Sequence, residues 1–167
     1  MPGHIDTLRA VIAAWERLDV EGVLAHLHDE IIWNNSGGIR RPVEGKEAMR
    51  KALLAMKGNI AESRWRLFDW AEKGDVVWME GVDEFLRKDG ILIVVPYAGV
   101  LEFEGPVIRR WREYFDGRLQ EKMLAGGLEP LPLGAPQEAE LFRTEMAKGG
   151  KVIKQAAGYY AARSTNF

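Results

Sequence analysis

Apolar residues in the first part of the chain recur at Leu8, Val11, Ile12, Trp15 and Leu18, the alternating three- and four-residue steps of an amphipathic helix. Asp19 breaks this series and caps a second short helix carrying Val20, Val23, Leu24 and Leu27. A compact run, Ile31-Ile32-Trp33, precedes the turn-forming Asn34-Asn35-Ser36-Gly37-Gly38. A third helix is predicted from about Lys46 to Lys57, with Met49, Ala52, Leu53 and Met56 on its buried face. Gly58 is expected to close it in the left-handed conformation. From Ser63 the period changes to two. Strands are predicted over Ser63–Ala71, Val76–Leu86, Ile91–Phe103 and Val107–Phe115, joined at Lys73-Gly74-Asp75, Lys88-Asp89-Gly90 and Gly105-Pro106. Pro96 and Gly99 suggest a bulge or bend in the third of these strands.

Helices followed by long strands on tight turns describe an α+β fold: three N-terminal helices packed on one face of a strongly curved, mainly antiparallel sheet. Such a sheet closes with its helices into a cone-shaped barrel that has an apolar interior and one open mouth, so an internal pocket is expected. Past Gly117 the pattern changes. Residues 118–126 suit a short helix, and a proline-rich connector runs from Leu128 to Pro136. Beyond it Phe142, Met146, Ile153, Ala156 and Tyr160 form a helical stripe interrupted at Gly149-Gly150. The division is therefore a domain over 1–127 and a connector with a helical tail over 128–167. The tail is read as packing on the core or on a second subunit, with a lid over the pocket as the functional alternative.

Composition narrows the function. A chain of 167 residues suits one domain with a sizeable core. The formal charge of −2 offers no electrostatic footprint for nucleic acid. No apolar run is long enough for a membrane span, and Met1–Asp6 lacks the blocks of a secretory signal, so a cytoplasmic protein is expected. The absence of cysteine excludes disulfides, thiol nucleophiles and Cys-based zinc sites. No phosphate-binding glycine loop or nucleophile elbow occurs, and His26 and His28 point to different faces of their predicted helix. No metal, nucleotide or flavin cofactor is implied.

The candidate chemistry lies in strand carboxylates. Alternation groups Val77, Met79, Gly81, Asp83 and Phe85 on one face, so Asp83 is a carboxylate in an otherwise apolar row. The last strand divides into Arg110, Arg112, Tyr114, Asp116 on one face and Arg109, Trp111, Glu113, Phe115 on the other. Asp116 ends that strand, where a rim residue belongs. Periodicity nominates these acids without separating a catalytic role from a paired or solvated one.

The segment Val94-Val95-Pro96-Tyr97-Ala98-Gly99-Val100-Leu101-Glu102-Phe103-Glu104-Gly105, with Trp111-Arg112-Glu113-Tyr114-Phe115-Asp116 and Trp33-Asn34-Asn35, resembles limonene-1,2-epoxide hydrolase over roughly residues 5–120. The resemblance implies the cone-shaped fold of nuclear transport factor 2, shared with ketosteroid isomerases and SnoaL-like polyketide cyclases. It implies one-step hydrolysis with Asp116 as the base that deprotonates water, Asp83 as the acid that protonates the epoxide oxygen, and Asn35 as a holder of the water. Trp33, Gly81, Phe85, Tyr97 and Tyr114 are the expected substrate-binding residues. Two positions depart from the family. Gly81 stands where an arginine bridges the two acids, leaving Arg40, Arg41 or Arg112 as substitutes and clearing volume beside Asp83. Trp33 stands for a tyrosine and can donate but not accept a hydrogen bond.

The leading reading is water addition to a small apolar epoxide. The alternatives are proton transfer on a carbonyl compound, as in ketosteroid isomerases and polyketide cyclases, and a non-catalytic small-molecule-binding module. The resemblance also implies a homodimer.

Overall fold

A computed structural model describes residues 3–35 and 40–147. The chain divides after Ala135 into two units. The first holds helices α1 (His4–Glu16), α2 (Val20–Leu24), α3 (Lys46–Asn59) and α4 (Gly117–Leu124) with strands β1 (Leu27–Asn34), β2 (Val43–Glu44), β3 (Ile60–Lys73), β4 (Val76–Arg87), β5 (Leu92–Glu104) and β6 (Val107–Tyr114). The second, from Pro136, holds α5 (Glu138–Ala147). The division falls later than the expected boundary at 127/128 because the connector is tied to the sheet. Gly134 N donates to Glu84 Oε1 (3.2 Å), and Arg66 Nη2 donates to the Ala135 carbonyl (2.7 Å). Of the tail stripe, Ile153, Ala156 and Tyr160 lie outside the described residues.

The six strands form one mixed sheet in the order β2-β1-β6-β5-β4-β3, antiparallel except where β1 runs parallel to β6. The core gathers between the sheet and the helices: Leu8, Val11 and Trp15 of α1, Val23 and Leu24 of α2, and Met49 and Leu53 of α3 meet Ile31, Trp65, Val77, Leu101, Ile108 and Trp111. This is the α+β arrangement that the switch from helical to two-residue periodicity describes.

Local chemistry explains most boundaries and a few departures. Asp19 caps α2 as expected, accepting from Gly22 N (2.9 Å). The second helix is shorter than predicted, since Leu27 already starts β1, and this strand pairing carries His28 out of any helix. Gly58 is not a left-handed cap; α3 runs through Asn59 and passes directly into β3 with Ile60 extended. No bulge occurs at Pro96 in the β4–β5 pairing. The β4–β5 ladder is continuous through Val82↔Pro96, and β6 begins its pairing with β5 only at Ala98, so one side of β5 is free at the proline. Register irregularities lie instead at Leu67/Asp69 and Glu102/Phe103. Among the described residues, no helix is long and apolar enough to cross a membrane.

Candidate functional site

Alternation along four strands aims one set of side chains at the helices. Trp33 of β1 is in register with Trp111 of β6, Trp65 of β3 with Asp83 of β4, and Gly81 of β4 with Tyr97 of β5. Two residues beyond Trp111 on the same face stands Glu113. Together with Val11, Trp15, Met49, Leu53 and Met56 from the helices, all of these except Gly81 line a pocket. The cavity is small, ≈ 90 Å³, below the roughly 300–1,000 Å³ of drug-sized ligand sites, so it suits a small molecule. Its walls are mostly apolar and include an aromatic cluster: Trp65 stacks on Trp111 (centroids 5.5 Å apart, 13° between planes) and meets Tyr97 edge-on (6.1 Å). Phe85, Phe115, Asn35 and Gln120 complete much of the lining, and none of the described lining side chains is basic.

Two carboxyls face this apolar space. Burial drives the Asp83 carboxyl up to about 7, helped by the charge of Glu84 behind it. Its Oδ1 is out of solvent and has no hydrogen-bond partner among the described residues. Glu113 is pushed up to about 8, by burial first and by the charge of Asp83 second, against the opposing pull of the Trp33 and Trp111 indoles. Trp33 Nε1 donates to Glu113 Oε2 at 3.3 Å. The buried Trp111 Nε1 exerts its pull without reaching full hydrogen-bond geometry and is otherwise unpartnered. Glu113 feels the charge of Asp83, and the two carboxyls pass through a one-proton state between about pH 7 and about pH 8. Trp65 Nε1 donates to Tyr97 Oη at 2.6 Å, and burial raises the Tyr97 phenol well above its ordinary range.

Asp83, Asn35, Trp33, Phe85 and Tyr97 thus come together at the pocket. Three expected residues do not contribute as assigned. Asp116 is exposed and lies outside the lining; it is the N-cap of α4, its Oδ1 accepting from Arg118 N (2.9 Å) and Leu119 N (3.2 Å). Tyr114 is 49% exposed on the opposite face of β6. Gly81 leaves no room for a bulkier ligand, because a Cβ there would sit 2.0 Å from the Arg66 carbonyl oxygen and 2.7 Å from Tyr97 Oη. Nor does a substitute arginine enter: Arg112 pairs with Glu102, and Arg40 and Arg41 are exposed and outside the lining. The residue the sequence reading passed over is Glu113. The signal for it was present, since alternation puts it beside Trp111 on the face opposite Asp116.

Among the described residues no group of three or more His, Asp or Glu is placed to hold a metal ion. The arrangement is suited to moving protons at a bound apolar molecule.

The SnoaL-like domain family matches residues 8–111. No curated protein matches the chain significantly. Solved structures do: an LEH-like epoxide hydrolase of M. tuberculosis (23% identity, 74% of this chain and 90% of that one, TM-score 0.64) is one. Others are a putative SnoaL-like polyketide cyclase of Shewanella denitrificans (14%, 75% and 99%, TM-score 0.66) and an NTF2-like protein of unknown function from Burkholderia pseudomallei (21%, 75% and 97%, TM-score 0.63). At these identities the structures establish the NTF2-like fold and leave the activity to the site itself.

Proposed function

The chain belongs to the SnoaL-like domain family, and within it we propose an enzyme that adds water to a small, mostly apolar epoxide, with Glu113 as general base and Asp83 as general acid. What carries the reading is the pair itself: two acids with raised pKa values facing one aromatic pocket, one of them with an unpartnered oxygen. Epoxide opening asks for a proton on the departing oxygen and the removal of one from water, and a pair that shares one proton supplies both.

The neighbours of each acid decide where the proton rests. Indole N–H groups favour Glu113 as a carboxylate, because hydrogen bonds stabilise the charged acceptor. Asp83 Oδ1 receives none, and an unpartnered charge in an apolar site costs far more than a neutral carboxyl. The two values, about 7 and about 8, lie close enough for the form with the proton on Asp83 to be accessible, and that is the form the reaction uses. In the reaction Glu113 takes a proton from water as the water oxygen bonds to an epoxide carbon. The carbon–oxygen bond breaks, and the released oxygen takes the Asp83 proton. The diol leaves, Glu113 is protonated and Asp83 ionised, and one proton transfer between the two restores the starting state. Asn35 and Gln120 also line the pocket, and in this reading they hold the water or the polar end of the substrate.

The test is diol formation from a panel of terpene, cyclic and styrene-type epoxides. Glu113→Gln and Asp83→Asn are each expected to lower kcat by about 10³-fold or more, while Asp116→Asn stays within about twofold because that residue only caps a helix. Full activity in Glu113→Gln contradicts the assignment. Absence of diol from every epoxide, with exchange of ketone α-protons instead, replaces it with carbonyl proton transfer by the same pair.

A further inference from the structure

The pocket holds two acids and no basic side chain among its described lining, which leaves open what steadies the oxygen released from the substrate. We propose that Tyr97, oriented by Trp65, is a third catalytic group that donates a hydrogen bond to the reacting oxygen. This rests on the reading of Asp83 and Glu113 as an acid–base pair.

Three observations support it. First, Tyr97 faces Gly81 directly across the β4–β5 ladder, and its hydroxyl lies 2.7 Å from where a Cβ at position 81 would be. With the Arg66 carbonyl oxygen at 2.0 Å from the same point, only glycine fits there, and its missing side chain is what lets the phenol reach the row occupied by Asp83. Second, the Tyr97 oxygen is already used as an acceptor. An indole N–H can only donate, so the 2.6 Å bond from Trp65 Nε1 fixes the direction and leaves the phenol proton to be given elsewhere. No described residue receives it, although Tyr97 is only 6% exposed. Third, Tyr97, Asp83 and Glu113 line the same pocket, and the charges of both acids reach the phenol.

The phenol stays protonated throughout, since burial and the nearby carboxylates oppose its ionisation. It therefore contributes a hydrogen bond, and the proton that ends on the product oxygen still comes from Asp83. Trp65 acts through Tyr97: stacked on Trp111 and edge-on to the phenol, it holds the donor in place and polarises it.

The experiment is a double-mutant cycle on epoxide turnover. Tyr97→Phe is expected to reduce kcat about 100-fold with KM changed by less than about threefold. Trp65→Phe should reduce kcat about tenfold in the wild-type background and not at all in Tyr97→Phe. Unchanged kcat in Tyr97→Phe, or independent losses that multiply in the double variant, overturns the proposal. A second measurement needs no turnover. Binding of cyclohexanone and of methylenecyclohexane, matched in shape but differing in the acceptor oxygen, is followed by tryptophan fluorescence. The ketone's advantage should shrink about tenfold in Tyr97→Phe, and an undiminished advantage overturns the role of Tyr97. If wild-type protein turns over no epoxide yet shows this loss of ketone preference, the hydrolase reading fails and the donor role of Tyr97 stands.

Discussion

Asp83 and Glu84 are neighbours on β4, the first half-buried with one oxygen out of solvent and the second fully buried, and they meet opposite environments. Glu84 points to the outer face and is fully buried, but every need of its charge is met. Arg66 Nε donates to Oε2 (3.1 Å), Arg66 Nη2 to Oε1 (2.9 Å), and Gly134 N adds a third bond. Asp83 points inward to aromatic rings, with one oxygen unpartnered and a carboxyl driven upward. One residue of strand separates a charge used to hold the connector against the sheet from an acid whose ionisation burial opposes at a cost in stability. A buried carboxylate that is satisfied is part of the scaffold. A buried carboxyl left unsatisfied marks the site.

Breaking the outer pair should cost the most in stability. Glu84→Gln weakens the bidentate pair and is expected to destabilise the first unit by roughly 2–3 kcal/mol, less than for a wholly buried pair because Arg66 retains some solvent contact. Turnover per folded molecule should change much less than stability, because Glu84 is the lesser of the two causes that raise Asp83. The inner acids should act in the other direction. Their pKa values are raised on folding, so between about pH 4 and pH 8 the unfolded chain is ionised while the folded one still holds its protons. Native protein binds more protons than unfolded protein across that window, and stability attributable to this pair therefore falls as pH rises through it. Glu113→Gln should flatten this slope in denaturant titrations and gain roughly 1–2 kcal/mol at pH 8. A slope unchanged by the substitution would erase the distinction between the two faces of β4.

The smallest effect sits at Asp116. Asp116→Ala removes the α4 cap and should cost about 1 kcal/mol. Thermal unfolding of the variant reads that loss.

Much of the fold was legible because its causes are local. The helical stripes of α1 and α3, the change to alternation near Ser63, the Asp19 cap and the glycine turns at Gly74, Gly90 and Gly105 all follow from short-range preferences. What escaped depended on pairing. Leu27 suits a helix by spacing, yet β1 takes it into the sheet, and Gly58 suits a cap until β3 follows α3 without a turn. The site was half legible in the same way. Alternation placed Asp83 and Glu113 on apolar rows and set Asp116 and Tyr114 on the other face of β6. The likeness at the end of that strand drew attention to Asp116 instead. Neither pattern nor likeness could show that Tyr97 fills the space over Gly81, since that contact exists only once β4 and β5 are in register.

The central claim is that Asp83 and Glu113 share a proton in an apolar pocket near neutral pH. Carboxyl carbon NMR of protein labelled at aspartate and glutamate side chains measures it directly across pH 3 to 10. The account predicts two carboxyls titrating far above the rest, near the values of about 7 and about 8, with only one such titration left in Glu113→Gln. If every carboxyl in the wild-type protein titrates below about pH 5.5, in the ordinary range of exposed acids, the pair is not the site.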